Sequence, residues 1–138
     1  MANFKTKSLS RMNILIAEDN QYTALQYERV LNKCGYDVIL TKDGEECMKK
    51  YSDASSQSEF ESIEKNPFDV VLLDQSMPKK TGAQAAQEIL EKKPGQRIIF
   101  ASAYGLTAER NSDKFIEKVE FLQKPFSLTK LVKTVTGQ

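Results

Sequence analysis

Apolar residues in this chain gather into five short, mostly continuous runs at residues 14–17, 38–40, 70–73, 98–101 and 119–122, separated by segments of helical period. Runs that do not alternate apolar with polar suit strands covered on both faces, as in a parallel sheet. Tyr27, Val30, Leu31 and Cys34 follow the i, i+3, i+4, i+7 stripe of an amphipathic helix, stopped by Gly35. Leu128, Leu131, Val132 and Val135 repeat that stripe near the C-terminus, with Ser127 as the N-cap. Ala85, Ala86, Ile89 and Leu90 mark a third helix, and Cys47, Met48 and Tyr51 a shorter one. The repeated order of strand then helix predicts one α/β domain, a parallel sheet joined by right-handed crossovers.

Two stretches fit that pattern least. Residues 107–116 have helical spacing, but Glu109-Arg110-Asn111-Ser112-Asp113-Lys114 is polar all round, so this helix would be poorly anchored and could move. Residues 52–59 are Ser-rich and apolar-poor, which predicts a mobile surface loop. Residues 60–65 can add a helical turn before Asn66-Pro67 breaks it. The 52–66 segment reads as a tolerated insertion, with a partner-binding element as the alternative.

Composition bounds the chemistry. A chain of 138 residues, 40% hydrophobic and 28% charged, suits a single compact core. A net charge of +1 makes no case for nucleic acid or an anionic membrane as the main partner. No apolar stretch is long enough to span a bilayer and the first residues lack the apolar core of a secretion signal, so a cytoplasmic location is expected. The basic start, Lys5, Lys7 and Arg11, reads as a solvated tail over residues 1–11. There is no histidine, which rules out Ser-His-Asp and Cys-His catalysis, His-ligated zinc or haem, and phosphohistidine on this chain. Cys34 and Cys47 both fall on apolar stripes and read as buried free thiols, with a disulfide between them as the alternative.

The ends of the runs carry the chemistry. The first leads into Glu18-Asp19. The third ends in Asp74, followed by the turn Gln75-Ser76-Met77-Pro78-Lys79-Lys80-Thr81-Gly82. The fourth leads into Ser102 and the fifth into Lys124-Pro125. In an open parallel sheet the carboxyl ends of the strands converge on one crevice, where ligands bind. Three acids gathered there repel one another unless a cation is held between them. A hard cation such as Mg²⁺ takes one or two carboxylates, a backbone carbonyl and waters, leaving room for a phosphate oxygen. Asp74 can then attack a phosphoryl group and form an acyl phosphate. The metal and the Lys124 ammonium offset charge on the equatorial oxygens, and the Ser102 hydroxyl donates to one of them. Taken singly, each residue has a blander reading: a strand-end acid as a solvated cap, Glu18-Asp19 as a helix cap, Lys124 as a surface lysine, Ser102 as a turn residue. Their joint placement at strand ends favours the chemical one.

The pieces Ile14-Leu15-Ile16-Ala17-Glu18-Asp19-Asn20, Asp69-Val70-Val71-Leu72-Leu73-Asp74-Gln75-Ser76-Met77-Pro78 with Gly82, Ile98-Ile99-Phe100-Ala101-Ser102-Ala103 and Phe121-Leu122-Gln123-Lys124-Pro125-Phe126 occur in that order. So arranged, the chain resembles the receiver domain of two-component response regulators over nearly its whole length. The resemblance implies a receiver over residues 12–138, chemotaxis-regulator-like, with a flavodoxin-like, doubly wound (βα)5 fold and strand order 2-1-3-4-5. It implies that Asp74 is the phosphoacceptor. Glu18, Asp19, Asp74 and the Ser76 backbone carbonyl would hold Mg²⁺ or Mn²⁺. Ser102 matches the hydroxyl switch, Phe121 the aromatic switch and Lys124 the phosphoryl-binding lysine, and the Lys124–Pro125 peptide bond is expected to be cis. Such a protein is a switch, an enzyme only toward its own phosphorylation and dephosphorylation. It takes its phosphoryl group from a histidine kinase or histidine phosphotransfer protein. The signal then passes to a downstream protein through the last helix-strand-helix face. No direct contact with nucleic acid and none with a membrane is expected, and the expected state is a monomer or weak dimer.

Some positions depart from the commonest family pattern. Residue 102 is Ser rather than Thr, and residue 121 is Phe rather than Tyr, so any inward rotamer of Phe121 is held by packing alone. Gln75, Ser76, Ala103 and Tyr104 are placed to tune hydrolysis of the acyl phosphate, although Tyr104 itself reads as exposed and structural. The loop after the second helix is longer than usual. Two other classes stay open: a haloacid-dehalogenase-type phosphatase, which needs an acid where Ser76 stands, and a receiver-like module that only binds. The last helix stops at Thr136-Gly137-Gln138, as in a single-domain regulator or a receiver cut from a longer protein.

Overall fold

The computed structural model describes residues 12–57, 62–103 and 118–138. Its elements are β1 (Met12–Ala17), α1 (Gln21–Lys33), β2 (Tyr36–Thr41), α2 (Gly44–Ser55), β3 (Val70–Asp74), α3 (Gly82–Lys92), β4 (Ile98–Ser102), β5 (Glu120–Gln123) and α4 (Leu128–Thr136). All pairings are parallel and the strand order is β2-β1-β3-β4-β5, the doubly wound order that the resemblance implies.

The unbroken apolar runs now have a physical reason. In β1, Leu15 and Ala17 face one core, shared with Cys47, Met48 and Tyr51 of α2 and with Ala85, Ala86 and Ile89 of α3. Ile14 and Ile16 face the other, shared with Tyr27 and Leu31 of α1 and with Leu131 and Val135 of α4. β3 and β4 divide in the same way, Val71, Leu73, Ile98 and Phe100 against Val70, Leu72, Ile99 and Ala101. Each fully buried Leu or Ile is worth about 1.5–3 kcal/mol, so an apolar residue at every position of these strands is favoured. The edge strands β2 and β5 are only partly covered, and their apolar runs are correspondingly shorter or mixed.

Four side chains start the helices by accepting an N–H: Asn20 from Thr23, Asp43 from Glu46, Thr81 from Gln84, and Ser127, as expected, from Lys130. Such caps are worth about 1 kcal/mol each. Two polar clusters tie the layers together away from the strand ends. Tyr51 Oη donates to Gln96 Oε1 at 2.7 Å, and Gln96 Nε2 donates to the Phe68 carbonyl at 2.8 Å. Arg97 forms a two-pronged pair with Glu120 at 2.6 and 2.9 Å and also donates to the Thr134 and Val135 carbonyls at the end of α4.

Two expectations are corrected. Cys47 is buried, but Cys34 is exposed, and both are free thiols. α1 ends at Lys33, so Cys34 is its C-cap, already past the turn that faces the sheet, and Gly35 follows with φ +93°. The Ser-rich stretch is not loop from residue 52: α2 runs on to Ser55. Its hydroxyls find local partners, Ser55 Oγ donating to the Tyr51 carbonyl at 2.8 Å, and partly buried Ala54 packs on the core. Residues 62–65 make a turn, with Lys65 N–H on the Ser62 carbonyl, and the buried Lys93 ammonium donates to that same carbonyl at 2.7 Å. The N-terminal tail, the middle of the 52–66 segment, Tyr104 and the helix expected over 107–116 lie outside the described residues.

Candidate functional site

At the carboxyl edge of the sheet the ladders run one residue past the strands. Glu18 N–H donates to the Thr41 carbonyl at 3.0 Å, Gln75 N–H to Ala101 at 3.0 Å and Lys124 N–H to Ser102 at 2.9 Å. The sheet therefore fixes the backbone from which the candidate side chains project. Glu18, Asp19 and Asp74 each bring a carboxylate oxygen to within 4.8 Å of the other two. Glu18 and Asp74 are 4% and 5% exposed, while Asp19 lies open at the rim. Lys124 Nζ reaches across to Asp74 Oδ1 at 2.6 Å and Glu18 Oε1 at 3.3 Å.

Burial pushes the Asp74 carboxyl above its usual range; the bond and charge of Lys124 pull it back, the Asp19 charge raises it again, and the Ser76 N–H lowers it. Glu18 also sits high, first from burial, then from Asp74, against the pull of the Asn20 N–H and Lys124. For Lys124, burial alone would lower the ammonium, but its bond to Asp74 and the charges of Glu18 and Asp74 outweigh that and hold it above the ordinary lysine value. All three groups shift upward: burial favours the neutral form of the two acids, while the surrounding carboxylates favour the charged form of the lysine. The cluster lacks positive charge. An excess of hard oxygen donors around one point is the donor set that suits Mg²⁺ or Mn²⁺.

The sequence model of the response regulator receiver domain family matches residues 14–136. The chain belongs to that family. It is 32% identical over 124 residues to response regulator RR06 of Streptococcus pneumoniae, covering 90% of this chain and 51% of RR06. With the chemotaxis protein CheY of Thermotoga maritima it is 26% identical over 123 residues, covering 88% of this chain and 92% of CheY. Among solved structures, response regulator TrrA of Thermotoga maritima in complex with Mg²⁺–BeF superposes with a TM-score of 0.72 at 27% identity, covering 91% of this chain and 97% of TrrA. The chain thus spans about half the length of RR06 and nearly all of CheY and TrrA. Among the described residues, no helix of this receiver domain is long and apolar enough to cross a membrane.

The other residues singled out in the sequence lie around the acids. Ser102 is buried at the end of β4, one position beyond Ala101, the register partner of Asp74. Phe121 pairs with Phe100 across β4 and β5, its ring edge-on at 5.5 Å and half-buried. Ser76 is exposed just after β3, and the Lys124–Pro125 peptide bond is cis. Pro125 leads to Phe126, whose ring stacks on Tyr27 of α1 at 5.8 Å.

Three contributors were not legible in the sequence. The Asn20 N–H donates to Glu18 Oε2 at 3.1 Å, steadying a buried acid. Gln75 Oε1 accepts from Ala83 N–H at 2.9 Å, so this side chain caps α3. At Gly82 an added Cβ would stand 2.6 Å from the Asp74 carbonyl oxygen, so only glycine lets α3 start this close to the acceptor. The capping box Thr81-x-x-Gln84 was a readable signal for where α3 begins. The Asn20 bond is local, two residues from Glu18, whereas the roles of Gln75 and Gly82 depend on how α3 starts beside the end of β3.

Proposed function

We propose that this receiver domain, over residues 12–138, is a phosphorelay switch in which Asp74 accepts a phosphoryl group from a histidine kinase or histidine phosphotransfer protein. The observation that carries this reading is the meeting of Lys124 Nζ with Asp74 Oδ1 at 2.6 Å inside a cluster of three converging carboxylates. An Asp74 carboxylate oxygen attacks phosphorus, the donor P–N bond breaks, and its electron pair leaves on the imidazole nitrogen, which takes up a proton. Glu18, Asp19, Asp74 and the Ser76 carbonyl would hold Mg²⁺ or Mn²⁺, which when bound supplies charge neutralisation at the phosphoryl oxygens. TrrA, solved with Mg²⁺–BeF, supports that assignment by its likeness to this chain.

Lys124 leaves its two acids to pair with the new phosphoryl group, which brings roughly two negative charges. Ser102 donates to a phosphoryl oxygen, and its displacement lets Phe121 turn inward, held by packing because it has no hydroxyl. The face formed by β5 and α4 then changes shape for a downstream protein. Because the partner prefers one of two states, it must also favour phosphorylation. The domain works in the cytoplasm as a monomer or weak dimer, catalyses only its own phosphorylation and dephosphorylation, and contacts no nucleic acid directly. An acid two residues after Asp74, which a haloacid-dehalogenase-type phosphatase uses, is replaced by exposed Ser76.

The test is mass spectrometry of the intact protein after treatment with acetyl phosphate, with and without Mg²⁺. A single metal-dependent phosphate that is lost in Asp74→Asn is expected. Labelling undiminished in Asp74→Asn would assign the acceptor elsewhere, and no labelling at all would leave a module that only binds.

A further inference from the structure

Residue 75 is bonded more densely than a loop residue next to a reactive carboxylate needs to be. Its N–H extends the β3–β4 ladder to Ala101. Its carbonyl accepts the Gly82 N–H at 3.2 Å and the Met77 N–H at 3.1 Å. Its side chain turns back, and Oε1 accepts the Ala83 N–H at 2.9 Å. The first two N–H groups of α3, which no helical carbonyl can serve, are thus both satisfied by Gln75. The third goes to Thr81 Oγ1 at 3.2 Å. Between the anchored ends of this short arc lies Ser76, whose N–H acts to lower the Asp74 carboxyl.

We infer that Gln75 is a positioning residue of the acid cluster: by clamping α3 to the end of β3 it sets where the Ser76 peptide stands, and so how its carbonyl meets the cation. This rests on the proposed role of Asp74 and Ser76. The side chain touches neither phosphoryl group nor metal, because its acceptor oxygen is spent on the helix. Its effect runs through the backbone of residues 75–77. Groups that orient a ligand at one remove typically change metal affinity by about 10–100-fold when removed.

The deciding experiment is Mg²⁺ titration by calorimetry on the folded protein, with urea stability measured alongside. Gln75→Met keeps length and removes the acceptor; Gln75→Glu keeps an acceptor of the same reach. Thr81→Val removes the neighbouring cap of the same helix without touching residue 75. About tenfold weaker Mg²⁺ binding in Gln75→Met is expected. Gln75→Glu should bind no more weakly than wild type, and Thr81→Val should lose stability at unchanged affinity. Equal weakening by Thr81→Val, or Gln75→Met that binds Mg²⁺ like wild type, overturns the inference while the phosphorelay reading stands. Wild-type protein that binds no Mg²⁺ overturns both.

Discussion

Lys124 Nζ sits 2.6 Å from Asp74 Oδ1, in a side-chain contact that joins the end of an edge strand to the end of the central one. The same ammonium is within 3.3 Å of Glu18, so a single cation serves two buried carboxylates. A lysine spread between two acids is poised to be claimed by a more highly charged group. Several measurable consequences follow from that balance.

Lys124→Ala leaves Glu18 and Asp74 facing each other without compensation. The metal-free variant should be destabilised by about 1–3 kcal/mol in urea at neutral pH, the cost of stranding buried polar partners. Saturating Mg²⁺ should recover most of the loss, and phosphorylation should no longer change the affinity for a partner. A variant that signals normally would remove the lysine from the switch.

The carboxyls of Glu18 and Asp74 sit higher in the folded chain than in the unfolded one. Between the unfolded value, about 3.9 for Asp, and the raised folded value, the native state holds more protons than the unfolded state. Stability from these groups is therefore full at acid pH and lost as pH rises through that window. Asp74→Asn should be increasingly more resistant to urea than wild type as pH climbs above about 4, and Mg²⁺ should narrow the gap. A stability difference that stays flat with pH would mean that burial does not govern this acid.

Gly82→Ala places a methyl group 2.6 Å from the Asp74 carbonyl oxygen and 3.0 Å from the Gln75 Cα. Since those neighbours are backbone, overpacking of about 1–3 kcal/mol is expected, with slower metal-dependent phosphorylation. At Gly95 the only neighbour of an added Cβ within 4 Å, among the described residues, is the Asn66 amide at 3.8 Å. Gly95→Ala should be neutral or stabilising by up to about 1 kcal/mol. Thermal unfolding of the two variants checks the contrast.

The two thiols should behave differently. Burial pushes Cys47 up to about 12, whereas Cys34 is exposed at the end of α1. Near pH 8 a thiol-specific chromogenic reagent should titrate Cys34 in the native protein and reach Cys47 only on unfolding. Rapid reaction in Cys34→Ser would contradict the burial of Cys47.

The fold was legible because its main force writes itself locally. A strand covered on both faces is apolar at every position, as at Val70-Val71-Leu72-Leu73, and a helix on one face shows the stripe of Ala85, Ala86, Ile89 and Leu90. The edges of elements were harder. The stripe ending at Cys34 did not reveal that α1 stops one residue short, and the Ser run of α2 hid a helix whose hydroxyls bond its own backbone. Both depend on where a chain end meets the sheet.

From residue types and order alone follow the parallel α/β architecture, the family and the identity of the side chains brought to the strand ends, since periodicity and motif order are properties of the chain itself. Only the folded arrangement decides that the three carboxylates come within 4.8 Å of one another, that Lys124 chooses Asp74, and that Gln75 turns from the cluster to cap α3. Those outcomes depend on distances between segments remote in sequence, set by ladder register, helix starts and the missing Cβ of Gly82. No local pattern encodes such distances, because they arise when the two cores close on either side of the sheet.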